Sequence, residues 1–262
     1  MDLEKYLELA RRGTQIAANN LKRLWDVPRN VSIKADESLL TQIDAENERL
    51  LTEYFSEATP ECGFLGEETG IHEAKTSKAP YWYVDPVDGT SNMVHRFPWA
   101  CVSVGLVVDG QPVVGVVSNP IQSQEFYAAQ GYGAYLNGTQ LHVSANAEFE
   151  RALLATGFPV GPHEMRFPNI DNFREVSLRC HSVRRPGSAA LDLCSVAAGW
   201  LDGFWEIHLK PWDTAAGTII VREAGGVVTG FDGDPYNPHD KYIIATNGIF
   251  HPTLSEIVRK DG

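Results

Sequence analysis

The segment Tyr83-Val84-Asp85-Pro86-Val87-Asp88-Gly89-Thr90-Ser91-Asn92 ends an apolar run in two carboxylates three positions apart. An apolar strand runs into Asp85, Pro86 stops the ladder because it has no N–H to give, and Gly89 lets the chain turn sharply after Asp88. Two carboxylates this close repel each other unless a cation lies between them. Hard oxygen ligands of this kind suit Mg²⁺, which leaves part of its shell to water and substrate oxygens. Thr90 and Ser91 open a short helix whose free N–H groups offer a place for a phosphate oxygen. The same residues also fit a plain turn with aspartate caps.

Other acidic segments lie elsewhere in the chain. Gly66-Glu67-Glu68-Thr69-Gly70 follows the short apolar strand Gly63-Phe64-Leu65; its glutamates fit either a site or a solvated loop. In Pro211-Trp212-Asp213-Thr214-Ala215-Ala216-Gly217, Asp213 reads as the N-cap of a helix, a position that would also aim its carboxylate at a metal or phosphate. Thr41-Gln42-Ile43-Asp44 matches a capped helix start, with Asp44 free either to cap or to orient a water or hydroxyl. Gly187-Ser188-Ala189-Ala190 opens another helix with small residues, for close approach of a ligand or for tight helix–sheet packing. The histidines show no HExxH or His-x-His spacing, which argues against zinc. There is no G-x-S-x-G, Walker A or dinucleotide fingerprint.

The elements that must hold these residues are legible as periodicity. Leu3, Leu7, Ala10, Thr14, Ala17, Leu21 and Leu24 recur at three- and four-residue steps, predicting a long amphipathic helix that ends before the breakers Pro28 and Asn30. A second helix starts near Thr41 and carries Ile43, Leu50, Leu51, Tyr54 and Phe55. Strands are predicted at Tyr81–Val84, Ala100–Val108, Val113–Val117, Gln124–Ala129 and Ala134–Val143, with Asp109-Gly110 as a hairpin turn. Past residue 150 the pattern mixes: strands at Ala152–Ala155, Gly203–Ile207, Val227–Thr229 and Tyr242–Ala245, and helices at Ala189–Trp200, Asp213–Ala224 and Thr253–Arg259. This order implies a layered α/β (α+β) architecture. The 262 residues form one domain with subdomains of roughly 1–150 and 151–262, long helices with an antiparallel sheet and then mixed α/β.

With 34 acidic and 22 basic residues the formal charge is −12, which repels nucleic acid and anionic membranes. An anionic substrate would then need local positive charge, and a metal ion supplies it. Cys62, Cys101, Cys180 and Cys194 show no CxxC spacing and read as small hydrophobes in a reducing compartment. Met1-Asp2-Leu3-Glu4 lacks the layout of a signal peptide, and no apolar run approaches the ~20 residues of a membrane span. A cytoplasmic protein is expected, with neither nucleic acid nor membrane as a direct partner.

Taken together, the sequence resembles the inositol monophosphatase family of magnesium-dependent, lithium-sensitive phosphatases. The likeness rests on Gly66-Glu67-Glu68, Asp85 to Asn92 and Trp212 to Gly217, and extends through Gly131 to Gly138, Gly187 to Asp192 and Glu223 to Gly226. It implies a layered αβαβα sandwich, of the type shared with fructose-1,6-bisphosphatase, assembled as a homodimer. It implies one Mg²⁺ on Glu67, Asp85 and the Val87 carbonyl, a second on Asp85, Asp88 and Asp213, and a third on Glu67 and waters. Gly89, Thr90 and Ser91 would hold the phosphate of a small phosphomonoester, and Thr90 with Asp44 would orient the attacking water. Glu206, Gly187, Ser188 and Ala189, with Asp88 and Asp213, would line the substrate. The segment Asn92 to Pro98 and the paired carboxylates Glu206 and Asp213 favour myo-inositol 1-phosphate over histidinol phosphate, fructose 1,6-bisphosphate or 3′-phosphoadenosine 5′-phosphate. The resemblance also admits a non-enzymatic role on the same fold, as a regulatory partner of transcription machinery.

Overall fold

The first 24 residues repeat leucine and alanine on one helical face, and that stripe becomes helix α1 (Leu3–Leu24), capped by the Asp2 carboxylate on Lys5 N–H. A computed structural model describes residues 1–27, 30–34, 37–74, 76, 79–159 and 167–258; Pro28 and Arg259, named above, lie outside them. A short hairpin, β1 (Val31–Ile33) with β2 (Leu39–Thr41), leads into α2 (Gln42–Ala58). At its start Thr41 and Asp44 form the reciprocal capping box, a feature typically worth about 1 kcal/mol. Strands β3 (Gly63–Gly66), β4 (Gly70–His72) and β5 (Tyr81–Asp88) follow, then helix α3 (Thr90–Val94). Next come β6 (Cys101–Val108), β7 (Gln111–Asn119), β8 (Gln124–Ala129), β9 (Gly133–Leu136) and β10 (Thr139–Gln140). The β6–β7 hairpin turns at Asp109-Gly110 with both residues at positive φ, 49° and 76°. The strand expected over Ala134–Val143 is instead broken at Asn137-Gly138, where φ is 49° and 85°, and folds back as β9 and β10.

The remainder comprises β11 (Leu153–Thr156), α4 (Phe167–Ser177), β12 (Ser182–Arg184), α5 (Ala189–Ala197), β13 (Gly203–Ile207), α6 (Pro211–Glu223), β14 (Val227–Thr229), β15 (Tyr242–Thr246) and α7 (His251–Val258). Of these, β12 and α4 have no counterpart in the sequence expectations, and α5 stops at Ala197 rather than Trp200.

Two sheets result. The larger has 8 strands in the order β10-β9-β8-β7-β6-β5-β3-β4, antiparallel except where β3 runs parallel to β5. The smaller has 5 in the order β12-β11-β13-β15-β14, with β12, β11 and β13 mutually parallel. Three buried clusters give the layering. Leu21, Leu51 and Phe55 of α1 and α2 pack on Trp82, Val84 and Val104 of the large sheet. Leu193 of α5 and Ile219 of α6 lie between Val117 of the large sheet and Phe204 of the small one. Val176 of α4 and Leu254 of α7 cover Leu154, Trp205 and Ile244 on its far face. The order is therefore αβαβα. Cys101 and Cys194 are buried, Cys62 and Cys180 half-buried, and all four are free thiols. No helix among the described residues is long and apolar enough to cross a membrane.

Candidate active site

The site forms where β5 leaves the large sheet. The strand continues past Pro86 to Asp88, but its pairing with β6 slips between Asp85 and Asp88. The proline thus interrupts the ladder without ending the strand, because its missing N–H falls in the slipped register. The displaced backbone finds other partners: Asp85 Oδ1 accepts from Val87 N–H (2.9 Å) and the Pro86 carbonyl accepts from Asn47 Nδ2 (3.1 Å). Gly89 then adopts φ +90°, and a Cβ there would lie 2.8 Å from the Trp99 carbonyl oxygen, so only glycine fits. It caps α3, whose first-turn N–H groups have no partner within the helix.

Thr90 Oγ1 donates its one proton between Asp44 Oδ1 at 2.9 Å and the Val87 carbonyl at 3.0 Å. The other Asp44 oxygen accepts from Thr41 N–H and hydroxyl (2.9 and 2.6 Å). Asp88 reaches the opposite way and sits on the start of α5, accepting from Ser188 Oγ (2.7 Å) and Ala190 N–H (2.8 Å). Ser188 is the α5 N-cap, its hydroxyl also accepting from Leu191 N–H. Asn92 closes the gap between the halves, its amide nitrogen 2.8 Å from the Trp99 and Pro186 carbonyls.

Asp213 is not the N-cap of α6, as the sequence suggested. Lys210 holds that place, Pro211 takes the first helical position it favours, and Asp213 reaches back from the third to accept from Lys210 N–H at 2.7 Å. Glu67 lies past β3 and is paired with Lys34, whose Nζ is 2.7 Å from Glu67 and 2.6 Å from Glu68. Glu206, on β13, is 8% exposed. Its carboxylate has no hydrogen-bond partner among the described residues. Ser91 and Gly187 are exposed at the rim, and the Ala189 N–H joins Ala190 on Asp88.

These carboxylates share one electrostatic environment. Burial, reinforced by Glu67, Asp88 and Asp213, holds Asp85 well above the usual carboxylate range. Burial and Asp88 do the same for Asp213. For Glu206 the causes are burial, then Asp192 and Asp213. Glu67 is raised by burial against the pull of Lys34, and burial lifts Glu68 to about 7. The lysine's own pKa is lowered by burial but raised on balance by the two glutamates. Buried carboxylates that repel one another offer oxygen donors whose mutual repulsion a divalent cation would relieve. No three His, Cys, Asp or Glu side chains among the described residues already surround one point in ligating geometry. Lys34 holds Glu67, α5 holds Asp88 and Lys210 N–H holds Asp213 instead.

Four polar residues escaped the sequence reading. Lys34 is one. The others, Asn20 on α1 and Asn47 and Glu48 on α2, are buried beneath the site. Asn47 accepts from Asn20 Nδ2 (2.8 Å) while donating to Pro86. Glu48 accepts from the backbone N–H groups of Glu68 (2.8 Å) and Thr69 (2.6 Å), so the turn carrying Glu67 wraps around its carboxylate. A Cβ at Gly66 would lie 2.6 Å from that carboxylate. The available signal was spacing: Asp44, Asn47 and Glu48 stand at i, i+3 and i+4 on one helical face, among apolar core positions.

Known proteins resemble this chain over nearly its whole length. A family model described as the inositol monophosphatase family matches residues 2–261. The inositol-1-monophosphatase of Synechocystis sp. is 38% identical over 256 residues, covering 97% of this chain and 89% of that protein. The fructose-1,6-bisphosphatase/inositol-1-monophosphatase of Aquifex aeolicus is 36% identical over 264 residues, 99% of this chain and 97% of that one. The crystal structure of extragenic suppressor protein suhB from Bartonella henselae matches with a TM-score of 0.91 at 36% identity, covering 97% of this chain and 98% of that chain. A layered αβαβα protein with these likenesses is a phosphoric monoester hydrolase. The chain belongs to the inositol monophosphatase family.

Proposed function

We propose that the protein hydrolyses a small polyol phosphate, myo-inositol 1-phosphate first among them, by in-line attack of water with Mg²⁺ bound. The observation that carries this reading is Glu206: a buried carboxylate without a partner among the described residues, set beside the acidic cluster at the end of β5. A carboxylate accepts hydrogen bonds, and the hydroxyls of a polyol are donors. On the family resemblance, Glu67, Asp85 and the Val87 carbonyl would hold one Mg²⁺, Asp85, Asp88 and Asp213 a second, and Glu67 with waters a third. When bound, Mg²⁺ would neutralise the phosphoryl oxygens and acidify water, as such ions generally do.

The chain's own residues supply the remainder. Thr90 commits its proton to Asp44 and Val87, so its oxygen can only accept from a water, which fixes that water's orientation. The N–H groups of Gly89, Thr90 and Ser91 at the head of α3 would hold the phosphate. Asp88 and Asp213 approach the substrate from the α5 and α6 starts, with Gly187, Ser188 and Ala189 along its rim. The transition state is loose, with charge spread over the phosphoryl oxygens, and no side-chain nucleophile is needed. A cytoplasmic, lithium-sensitive homodimer completes the proposal, on the family resemblance. The test is phosphate release from myo-inositol 1-phosphate, histidinol phosphate, fructose 1,6-bisphosphate and 3′-phosphoadenosine 5′-phosphate, with Mg²⁺ and with chelator, for the wild type and Asp88→Ala. Chelator-sensitive release that favours the inositol ester and is lost in the variant is expected. Preference for another ester would reassign the substrate, and release that survives the chelator would remove the metal from the mechanism.

A further inference from the structure

Glu206 owes its place to a residue that contributes no side chain. Strands β11 and β13 are parallel neighbours, with Thr156 opposite Trp205, so Gly157 and Glu206 leave that pair together. Alternation along β13 sends the Trp205 ring to the α4 side, where Nε1 donates to Asn169 Oδ1 (2.8 Å), and Glu206 to the side of the site. A Cβ at Gly157 would lie 2.2 Å from one Glu206 carboxylate oxygen and 2.3 Å from the other. The carboxylate therefore lies directly against the glycine backbone.

That backbone is fixed. Thr156 Oγ1 donates to the Trp205 carbonyl (2.7 Å), and Asn169 Nδ2 reaches both Thr156 Oγ1 (3.0 Å) and the Gly157 carbonyl. Asn169 and Thr156 are fully buried, so this network has no slack toward solvent. Gly157 does not lie at positive φ, so an alanine there meets no backbone strain. The three atoms its methyl would meet first all belong to the Glu206 carboxylate. Displacing the carboxylate changes its distances to Asp192, Asp213 and Asp88, whose charges oppose its own, and to Arg185, whose charge favours it.

We propose that Gly157 is a specificity-determining position: the space left by its missing side chain holds Glu206 where a polyol's hydroxyls can reach it. The inference rests on the polyol reading above and adds the residue that sets it. Gly157 is a positioning residue, acting through Glu206 without touching substrate.

The experiment is a double-mutant cycle on Gly157→Ala and Glu206→Ala, read as the ratio of kcat/KM for myo-inositol 1-phosphate to that for p-nitrophenyl phosphate, which has no ring hydroxyls. Losing one hydrogen bond to a charged group is expected to lower this ratio at least about tenfold in either single variant. The double variant should match Glu206→Ala alone, since the methyl then has no carboxylate to displace. A wild-type ratio in Gly157→Ala beside a lowered one in Glu206→Ala would overturn the proposal and leave the polyol reading standing. An unchanged ratio in Glu206→Ala would end both. If Gly157→Ala fails to fold, recovery of folding in the double variant supports the steric coupling. Failure of both to fold overturns it.

Discussion

Replacing Asp88 with asparagine should make the metal-free protein more stable at neutral pH, although it removes a residue from the centre of the site. Burial pushes the Asp88 carboxyl up to about 6 from its ordinary 3.8, even after Ser188 and the Ala190 and Ala189 N–H groups draw it back. A carboxyl whose folded pKa exceeds its unfolded one binds protons more tightly when folded, so raising the pH costs stability. The loss sets in near pH 4 and is complete a little above pH 6. About 2 pKa units at roughly 1.36 kcal/mol each come to ~3 kcal/mol. Asparagine keeps an oxygen for Ser188 and Ala190, but those bonds lose their charge assistance, about 1 kcal/mol. The net gain is ~2 kcal/mol, or roughly 4–8 °C in midpoint for a chain of this size. Thermal unfolding in EDTA, at pH 7.5 and again near pH 4, measures it. The gain should be present at the higher pH and vanish at the lower, and Mg²⁺ should raise the wild-type midpoint more than the variant's. A variant no more stable than wild type at pH 7.5, or equally stabilised at both pH values, would refute the electrostatic reasoning.

Further outcomes follow from the polar residues beneath the site. Glu48→Ala strips two partly buried N–H groups of their acceptor and should cost ~1–3 kcal/mol in urea unfolding, with Glu48→Gln recovering part of it. Lys34→Ala should tighten Mn²⁺ binding several-fold by electron paramagnetic resonance, because the ammonium no longer competes for Glu67; weaker binding would make the lysine a support instead of a competitor. Asn92→Ala releases the Pro186 and Trp99 carbonyls and loosens the loop before α5. Steady-state kinetics should then show KM rising by a larger factor than kcat falls.

Much of this architecture is written locally. The α1 stripe, the Thr41–Asp44 capping box and the Asp109-Gly110 turn each need only a few neighbouring residues to be recognised, and each is formed. Where two local signals competed, the weaker one misled. Asn137-Gly138 is a turn signal inside an apolar run, and the turn won. Pro211 outranks Asp213 for the helix start because its fixed φ suits the first helical position. The carboxylates were visible because they cluster in short motifs. Lys34, Asn47 and Glu48 were not, because their partners lie 33, 39 and 20 residues away, and nothing within a local window distinguishes them from surface polar residues.

Helix α2 extends three arms from one face: Asp44 to Thr90, Asn47 to the Pro86 carbonyl, Glu48 to the turn after β3. Its other anchor is the apolar layer, through Ile43, Leu51 and Phe55. The helix therefore works like the shaft of a linkage, and the three loops it grips share one mechanical coordinate. A methyl lost under Leu51 would not loosen one loop at random; it would tilt all three together. Water orientation, the Asp85–Asp88 turn and the Glu67 turn would drift in concert. Tuning by mutation is correspondingly pleiotropic: adjusting one through α2 means renegotiating the other two.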